Sequence, residues 1–351
     1  MKAIRLFEHG GIDRLCFGDF PEPSVGPADV LVKVLATGVS AWDVKYRVGD
    51  LPVLPGRKPF PLPMQLGRDC AGMVEAVGEQ VTAFRPGDRV VGLVHPANPN
   101  SPLTIRGLGN LSTDIDYPGH TLFGGNAQYV ARPEHYWMRL PDNVEPGPAA
   151  AALWSYATSH RVLHDRLGCA LGDTLLLIGA SGGMGTATLD LACAMGLRVV
   201  AVTRSAAKQA FLRDRGAAEV VVLTGDGDAA RVRSAAPTLG IDGAVDYSGD
   251  PAMLKLCIDT LRPGGTLVVA AVEGGGTPVP VSTRDCLRLE LNLRGARAST
   301  LCDQRAVLDL LSQGAIRPAI HSILPLAEIG QAHALLEGGT ISGRILLSPW
   351  P

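Results

Sequence analysis

A glycine-rich turn is the part of the sequence with the clearest chemical purpose. Ala180, Gly182 and Gly185 have the spacing of the G-x-G-x-x-G motif, with alanine in place of its first glycine. An apolar strand-like run precedes the turn, and a segment of small residues that is typical of a helix follows it. Such glycines let backbone N–H groups approach a pyrophosphate at the start of the helix. The turn therefore predicts a dinucleotide site, and the alternative is a strand-to-helix turn that binds no ligand.

The end of the following strand indicates which dinucleotide would bind. A site for NAD has an acidic side chain roughly 20 residues after the glycines, where it binds the ribose 2′-hydroxyl. Residues 202–208 contain no acid, but they contain Arg204, Ser205 and Lys208. An arginine fork, a hydroxyl and an ammonium group suit a 2′-phosphate. We therefore predict NADPH as the cofactor, against the alternative that these residues form the solvated basic start of a helix.

Other reactive side chains are scattered along the chain. The seven cysteines have no C-x-x-C spacing, which argues against a local zinc site or redox pair and favours reduced thiols. His160 and His164 are four residues apart on a predicted helix, a spacing that can bind metal. They have no third ligand nearby, so a solvated helix face is the alternative. His95 and His120 flank a long predicted loop, residues 94–123, from which either could reach a cleft.

Composition excludes several classes of function. Of the 351 residues, 46% are hydrophobic and 19% are charged, so the chain can bury a core and is not disordered. A net charge of -2 provides no basic field for a nucleic acid partner. No apolar run approaches about 18 residues and the N-terminus lacks the apolar stretch of a leader, so we expect a cytoplasmic protein that does not span a membrane.

The pattern of elements changes along the chain. Residues 1–145 contain short β-branched strands separated by turns, whereas residues 146–297 alternate apolar strands with helices. This alternation predicts a doubly wound parallel sheet built from βαβ units. Residues 298–351 contain two further helices and a final strand. Together these patterns predict an α/β protein of roughly two domains.

These features resemble the medium-chain dehydrogenase/reductase superfamily over nearly the whole chain. Besides the glycine-rich turn, the resemblance rests on residues 67–78, 84–90, 124–130 and 261–265. It implies a GroES-like β-barrel catalytic domain, residues 1–145 and 298–351, that is split around a Rossmann domain, residues 146–297, which binds NADP(H). It also implies a homodimer or homotetramer that acts on a small-molecule substrate.

The resemblance extends the set of predicted cofactor contacts. Thr158 resembles the threonine with which members of the superfamily contact the nicotinamide. Most of the other contacts are expected in the glycine-rich turn and at the end of the next strand. The predicted cofactor-binding residues are Thr158, Ala180, Ser181, Gly182, Gly183, Met184, Gly185, Thr203, Arg204, Ser205, Lys208, Ser248 and Val272.

Zinc-dependent alcohol dehydrogenases of the superfamily hold their metal with three side chains that this sequence replaces. Ser40 stands where that branch has a cysteine, Arg68 replaces the histidine of its Gly-His-Glu segment, and Trp154 aligns best with the third ligand. A hydroxyl, a guanidinium and an indole do not form the nitrogen and sulfur tetrahedron that zinc requires. The structural zinc lobe is missing too, since residues 90–125 contain no cysteine. The resemblance is therefore to the zinc-free branch of quinone reductases and 2-enoyl-thioester reductases, and we predict no metal.

The candidate catalytic residues are Tyr46, Ser40 and Asp43. The phenol of Tyr46 could donate a proton or a hydrogen bond, or it is a half-buried aromatic on a short helix. Ser40 could line the substrate cavity without acting chemically, and Asp43 could have a structural role instead. By analogy with the family, Asp69 and Arg344 are expected to form a buried ion pair that joins the barrel to the last strand.

We therefore expect an NADPH-dependent, zinc-independent oxidoreductase that reduces an activated C=C bond, in an enone or a 2-enoyl thioester, or a quinone by hydride transfer. No lysine or histidine is evident near the former metal positions to stabilise a localised alkoxide. The charge of an enolate is spread over several atoms and needs less stabilisation by the protein. The alternatives are a zinc-free alcohol dehydrogenase or carbonyl reductase, and a protein that binds NADPH without turnover.

Overall fold

A computed structural model describes residues 1–51, 58–271, 278 and 281–351. The chain forms two compact units, Met1–Ala157 with Ser299–Pro351, and Thr158–Ala298. The sequence predicts the first boundary at 145/146, where the element pattern changes, whereas the structure divides at 157/158. The difference arises because the helix that begins at residue 146 runs through the division. Val272, a predicted cofactor-binding residue, lies outside the described residues.

Strands occur in both units. Their apolar residues alternate where one face of a sheet is solvated and run continuously where both faces are covered. The strands are β1 (Lys2–Leu6), β2 (Leu15–Asp19), β3 (Asp29–Val39), β4 (Cys70–Val77), β5 (Arg89–Gly92), β6 (Tyr129–Pro133), β7 (Trp137–Arg139), β8 (Thr174–Ile178), β9 (Arg198–Thr203), β10 (Glu219–Val222), β11 (Ile241–Asp246), β12 (Leu261–Val269), β13 (Asn292–Gly295), β14 (Ile320–Pro325) and β15 (Arg344–Ser348).

The α-helices connect the strands and range from 4 to 16 residues in length. The helices are α1 (Ala41–Val48), α2 (Pro102–Ile105), α3 (Pro146–Arg161), α4 (Gly183–Ala194), α5 (Gln209–Asp214), α6 (Asp228–Ala235), α7 (Pro251–Thr260), α8 (Thr283–Leu289), α9 (Leu301–Ser312) and α10 (Ile329–Glu337). In the part of the chain that the structure describes, no helix combines the length and apolar character that a membrane crossing requires.

The first unit is built on a mixed sheet with β3 at its centre. The strand order is β14-β15-β3-β4-β5-β7, and β6 also pairs with β3. Along β3 the side chains of Val30, Val32 and Val34 are fully buried and alternate with less buried ones, as expected when one face of a sheet covers a core. The antiparallel pairing of β15 with β3 places Leu346 opposite Gly38. The last strand therefore returns to the N-terminal sheet, as predicted.

The second unit contains a six-stranded parallel sheet in the order β10-β9-β8-β11-β12-β13. All five residues of β8 are buried, as expected of a parallel strand with both faces covered. The strand order runs outward from β8 in both directions, which creates a topological switch point between β8 and β11. Ligands of such sheets bind at this point, outside the carboxyl ends of the strands. The predicted doubly wound sheet is confirmed, and the glycine-rich turn directly follows β8.

The predicted long loop, residues 94–123, contains short helical pieces that composition alone does not indicate. These are α2 and a 3-10 turn, Gly109–Leu111. Pro102 occupies the first turn of α2, where its fixed φ and missing N–H cost nothing. Further along, the Tyr117 hydroxyl donates a hydrogen bond of 3.0 Å to the Ser112 carbonyl oxygen. These local contacts give the segment a defined path.

Candidate active site

The glycine-rich turn has the geometry that a close backbone approach requires. Gly179 follows β8 with a φ of 76°, a left-handed conformation that favours glycine. Gly182 is the N-cap of α4. A Cβ on Gly185 would lie 2.1 Å from the carbonyl oxygen of Gly179, so only glycine fits there. The N–H groups at the start of α4 can therefore receive an anionic pyrophosphate.

The other predicted residues of this turn lie around the same helix start. Ala180 is fully buried, whereas Ser181, Gly183 and Met184 are half-buried. Gly179, whose backbone conformation is left-handed, is not among the predicted cofactor-binding residues, because the predicted motif begins at Ala180. The signal that could have found it is a glycine directly after a buried strand.

Arg204 and Lys208 lie just beyond the carboxyl end of β9. Thr203 is the last residue of that strand, and its hydroxyl accepts a 3.1 Å hydrogen bond from the Ser205 backbone N–H. Burial lowers the pKa of Lys208, and the positive charge of Arg204 lowers it further. Two neighbouring cations repel each other, and a phosphate bound beside them would relieve that repulsion.

Ser248 and Thr158 differ in how their hydroxyl groups are used. Ser248 follows β11, and its hydroxyl donates a 2.6 Å hydrogen bond to Asp246 at the end of that strand. The Thr158 hydroxyl is buried and has no hydrogen-bond partner among the residues that the structure describes. A buried hydroxyl without a partner is costly, so Thr158 suits a position where a ligand supplies the missing bond. The second unit therefore fits a nicotinamide dinucleotide.

Ser40 and Asp43 hold the start of α1 in the first unit. One Asp43 oxygen accepts hydrogen bonds from the Ser40 backbone N–H at 2.8 Å and from the Ser40 hydroxyl at 2.7 Å. The other oxygen accepts one from the Gly67 N–H at 3.2 Å. Asp43 is 1% exposed. This geometry supports the structural alternative for Asp43, because its carboxylate is occupied by holding α1 against the residue before Arg68.

Tyr46 and Arg68 form the polar centre of this unit. Arg68 Nη2 donates a 2.7 Å hydrogen bond to Tyr46 Oη, and Arg68 Nε donates one of 3.2 Å to the Pro118 carbonyl oxygen. Both side chains are buried. A cation bonded to the phenolic oxygen stabilises negative charge there, which helps the phenol to transfer its proton. The sequence suggests for Arg68 a lost metal ligand or a member of a mixed, charged surface cluster, so its burial against Tyr46 is a correction that the tertiary structure supplies.

Aromatic rings surround Tyr46 and Arg68. The Tyr46 ring stacks on Phe60 with centroids 5.4 Å apart, and His120 meets the Tyr46 ring edge-on at 5.2 Å. The Arg68 guanidinium lies 4.6 Å from the centroid of Trp154. Two of the three positions that replace zinc ligands are therefore in contact. His120, a candidate from the flank of the long loop, joins this cluster.

His95 lies on Trp154 as well. The two ring centroids are 5.9 Å apart, and His95 Nδ1 is 2.8 Å from the Ser299 hydroxyl. The His95 carbonyl oxygen accepts a 3.0 Å hydrogen bond from the Gln304 side chain. Both candidate histidines of the long loop thus contact an aromatic residue of the Tyr46 and Arg68 centre. The expectation that no histidine lies near the former metal positions is therefore wrong, because the path of the loop brings in residues that are distant in sequence.

The predicted ion pair between Asp69 and Arg344 is confirmed. Arg344 Nη2 donates to Asp69 Oδ2, and Asp69 is 1% exposed. Burial raises the pKa of Asp69 to about 6, although the positive charge of Arg344 opposes this rise. The pair joins the first residue of β15 to the residue before β4.

Comparison with known proteins identifies the family. Residues 26–142 match the family described as alcohol dehydrogenase GroES-like domain, and residues 183–313 match the one described as zinc-binding dehydrogenase. An alcohol dehydrogenase of Moraxella sp. (strain TAE123) is 30% identical over 348 residues, which cover 99% of each chain. The chain belongs to the medium-chain dehydrogenase/reductase superfamily. The predicted superfamily is thereby confirmed, as is the fold of a GroES-like domain with a Rossmann-like domain.

Similar members of the medium-chain dehydrogenase/reductase superfamily have different names and cofactors. Quinone oxidoreductase of Lama guanicoe is 29% identical over 355 residues, 99% of this chain and 97% of that protein. A crystal structure of an NAD-dependent alcohol dehydrogenase is similar with a TM-score of 0.90, 28% identity and 100% coverage of both chains. The chain is thus an oxidoreductase of a superfamily that binds nicotinamide cofactors and acts on small molecules.

This medium-chain dehydrogenase/reductase has a donor set that does not fit catalytic zinc. Ser40, Arg68 and Trp154 offer a hydroxyl, a cation and an indole, none of which suits that ion. Within residues 1–51, 58–271, 278 and 281–351, no group of three or more His, Cys, Asp and Glu side chains could hold a metal ion. The rings of His160 and His164 lie in contact with centroids 4.3 Å apart, but they belong to no such group in that part of the chain. Zinc independence stays a prediction, although one matched family is described as zinc-binding.

Proposed function

We propose that this chain is an NADPH-dependent, zinc-independent reductase that transfers hydride to an activated C=C bond, in an enone or a 2-enoyl thioester, or to a quinone. The observation that carries the proposal is the 2.7 Å hydrogen bond from Arg68 Nη2 to Tyr46 Oη, where zinc-dependent relatives have a metal ligand. A guanidinium and a phenol together offer the positive charge and the proton that a metal-free reduction needs. The similarity to a quinone oxidoreductase supports this substrate class.

The residues of the second unit support NADPH as the cofactor. The N–H groups at the start of α4 would hold the pyrophosphate, and the Thr158 hydroxyl would bind near the nicotinamide. Arg204 and Lys208 would bind the 2′-phosphate, with no acid after β9 to repel it. Because a similar structure is NAD-dependent, the preference rests on these side chains and not on the family.

The chain's own residues would stabilise the reduced substrate. When bound, NADPH supplies the hydride. Negative charge then develops on the substrate oxygen, and Tyr46 would donate its proton there while Arg68 stabilises the phenolate that remains. The rings of Phe60 and Trp154 limit the access of water to these groups, which strengthens their electrostatic effect. Ser40 has no chemical step, since its hydroxyl is bonded to Asp43.

Conjugated substrates suit this centre better than isolated carbonyls. Hydride addition to the β-carbon spreads charge over an enolate, whereas addition to a carbonyl carbon concentrates it on an alkoxide that zinc would otherwise stabilise. We expect saturated aldehydes to react at least ~100-fold more slowly, which corresponds to ~2.7 kcal/mol of barrier. Carbonyl reduction is the second candidate, favoured by the similarity to alcohol dehydrogenases.

Deuterated NADPH with an enone tests the reaction directly. The product is analysed by mass spectrometry and NMR to locate the transferred deuterium. Deuterium on the β-carbon, with the C=C bond reduced, is the expected result. Deuterium on the carbonyl carbon with the C=C bond retained would establish the carbonyl reductase instead. If a panel of enones, quinones and enoyl thioesters oxidises no NADPH, the alternative of a binding protein without turnover would replace the proposal.

The assembly and location of the protein are part of the same proposal. Membership of the superfamily supports a homodimer or homotetramer, and the net charge of -2 argues against a nucleic acid partner. The free cysteines support a reducing compartment such as the cytoplasm. Light scattering after size-exclusion chromatography measures the oligomeric state. A mass of one 36.7 kDa chain at micromolar concentration would contradict the oligomer.

A further inference from the structure

Arg68 is a buried cation whose hydrogen-bond partners in the chain are neutral. Within the described part of the chain, its side chain bonds only to the Pro118 carbonyl oxygen and the Tyr46 phenol, and the residue is 5% exposed. Among the described residues, no carboxylate oxygen lies within 4.0 Å of its guanidinium nitrogens. The neighbouring carboxylate, Asp69, is bonded to Arg344 instead. The positive charge of Arg68 acts on Asp69 only at longer range than an ion pair. A buried cation without an ion-pair partner is unfavourable, so the site is suited to an anion from outside the chain.

Several other buried arginines have the carboxylate partner that Arg68 lacks. Arg47 is bonded to Glu337 at 2.6 Å, and Arg161 is bonded to Asp165 at 2.7 Å. These pairs show how the fold usually compensates a guanidinium that it withdraws from water.

Two further buried arginines, Arg5 and Arg132, have no carboxylate within 4.0 Å among the described residues, but their surroundings differ. Arg5 lies against the faces of two phenylalanines, and Arg132 donates to the Phe123 carbonyl oxygen at 3.0 Å. Neither bonds to Tyr46 or to another candidate catalytic residue. Among the described residues, Arg68 is therefore the buried arginine that has no carboxylate within 4.0 Å and is also part of the candidate active site.

Ring contacts determine how a ligand can reach the Arg68 guanidinium. Its central carbon is 4.6 Å from the centroid of Trp154, 5.5 Å from that of Tyr117 and 5.8 Å from that of Tyr46. Of its donor nitrogens, Nε and Nη2 bond to the chain, and Nη1 has no acceptor among the residues that the structure describes. Because a carboxylate binds an arginine in the plane of the guanidinium, it would bind Arg68 through Nη1.

We propose that Arg68 binds a carboxylate of the substrate, so that the substrate is a conjugated carbonyl compound that carries a carboxylate group. The substrate class rests on the proposed reductase function, whereas the anion site rests on Arg68 alone. Nη2 keeps its bond to Tyr46, and Nη1 is the donor for the carboxylate. A neutral ligand leaves the cation uncompensated and binds more weakly.

A pair of probes that differ in charge and by one methyl group tests the anion site without turnover. The probes are 3-benzoylpropionate and its methyl ester, which have no C=C bond to accept hydride or to react with the exposed thiols of Cys16, Cys286 and Cys302. Calorimetric titration of the full-length protein in the presence of NADP⁺ measures both affinities. We expect the acid to bind roughly 10–150-fold more tightly than the ester, as for a charge-assisted hydrogen bond.

Variants of Arg68 show whether that residue causes the preference. Arg68→Gln is expected to abolish the difference between acid and ester, and Arg68→Lys, which keeps the charge, is expected to retain part of it. Arg14→Gln removes the same charge from a surface position and should leave the preference unchanged. If Arg68→Gln does not fold, the decision rests on the wild type and Arg68→Lys.

The outcomes separate this inference from the proposed reductase function. The anion site would be overturned by equal affinities of acid and ester for the wild type, or by no measurable binding of either probe. It would also be overturned by a preference for the acid that survives in Arg68→Gln or is lost in Arg68→Lys. A clear preference for the acid supports it. If that preference is present but neither 3-benzoylacrylate nor the panel of enones, quinones and enoyl thioesters oxidises NADPH, the reductase proposal fails and the anion site stands.

Discussion

Asp69 and Arg344 are 275 residues apart in the sequence and form a buried ion pair within the first unit. The pair ties the returning strand β15 to the segment that carries Arg68. Burial nevertheless dominates the behaviour of the Asp69 carboxyl, whose pKa is raised to about 6. Ionising the Asp69 carboxyl therefore costs more free energy in the folded state than in the unfolded state, even with Arg344 beside it.

The raised pKa of Asp69 predicts a loss of stability as the pH rises. The unfolded carboxyl, with a pKa of 3.8, releases its proton first, so from about pH 4 to pH 6 the unfolded state binds fewer protons than the folded state. The contribution of Asp69 to the free energy of unfolding should fall by up to about 3 kcal/mol across this range and then level off. Urea denaturation at a series of pH values measures it.

Asp69→Asn removes the titrating carboxyl, so a comparison with the wild type isolates the pH-dependent contribution of Asp69 to the free energy of unfolding. The stability of the variant relative to the wild type is expected to rise between pH 4 and pH 6. Asp285→Asn is a suitable control. Hydrogen bonds from Ser282 lower the pKa of Asp285, so its contribution to the pH dependence of stability falls below the range from pH 4 to pH 6. If the wild type gains stability relative to Asp69→Asn as the pH rises, the bond to Arg344 outweighs burial and our assignment is wrong.

Tyr46→Phe should slow turnover far more than it weakens NADPH binding. The substitution removes the proton donor and the acceptor of the Arg68 hydrogen bond but keeps the ring stacked on Phe60. We expect turnover to fall roughly 100-fold, the lower end of the range for a general acid, while NADPH affinity changes little. Steady-state kinetics and a fluorescence titration provide the two values. Tyr129→Phe, on strand β6, where the ring packs against Trp350, is the matched control, and equal turnover of both variants would remove Tyr46 from the chemistry.

Arg204→Ala should weaken NADPH selectively. A charge-assisted hydrogen bond contributes ~1.5–3 kcal/mol, so the affinity for NADPH is expected to fall roughly 10–150-fold. NADH lacks the 2′-phosphate, and its affinity should hardly change. Arg213→Ala removes an exposed arginine from α5 and serves as the control. Equal losses for NADPH and NADH in Arg204→Ala would contradict the cofactor assignment.

Zinc should be neither present in stoichiometric amount nor needed for activity. The residues Ser40, Arg68 and Trp154 at the former ligand positions do not suit the ion. Elemental analysis of protein purified without an affinity tag is expected to find zinc far below one ion per chain, and prolonged chelation should leave activity intact. Zinc at one ion per chain that chelators remove together with activity would disprove zinc independence.

Much of the second unit could be predicted because its signals are local. The buried run of β8, the glycines of the next turn and the start of α4 lie within one short stretch of sequence, and the structure has them as expected. The first unit was less predictable. The short helix α2 has little periodicity to reveal it, and the partner of Tyr46 belongs to a different part of the chain.

The sequence by itself determined the family, the doubly wound sheet, the glycine-rich turn and the replacement of three zinc ligands. These features depend on residue type and on spacing over a few residues, where backbone geometry leaves little choice. Only the tertiary structure decided that Arg68 bonds to Tyr46 and lies on Trp154, and that Asp43 is occupied in holding α1. Such contacts join side chains from separate elements, and their choice of partner depends on how the whole core packs and on which charges it withdraws from water.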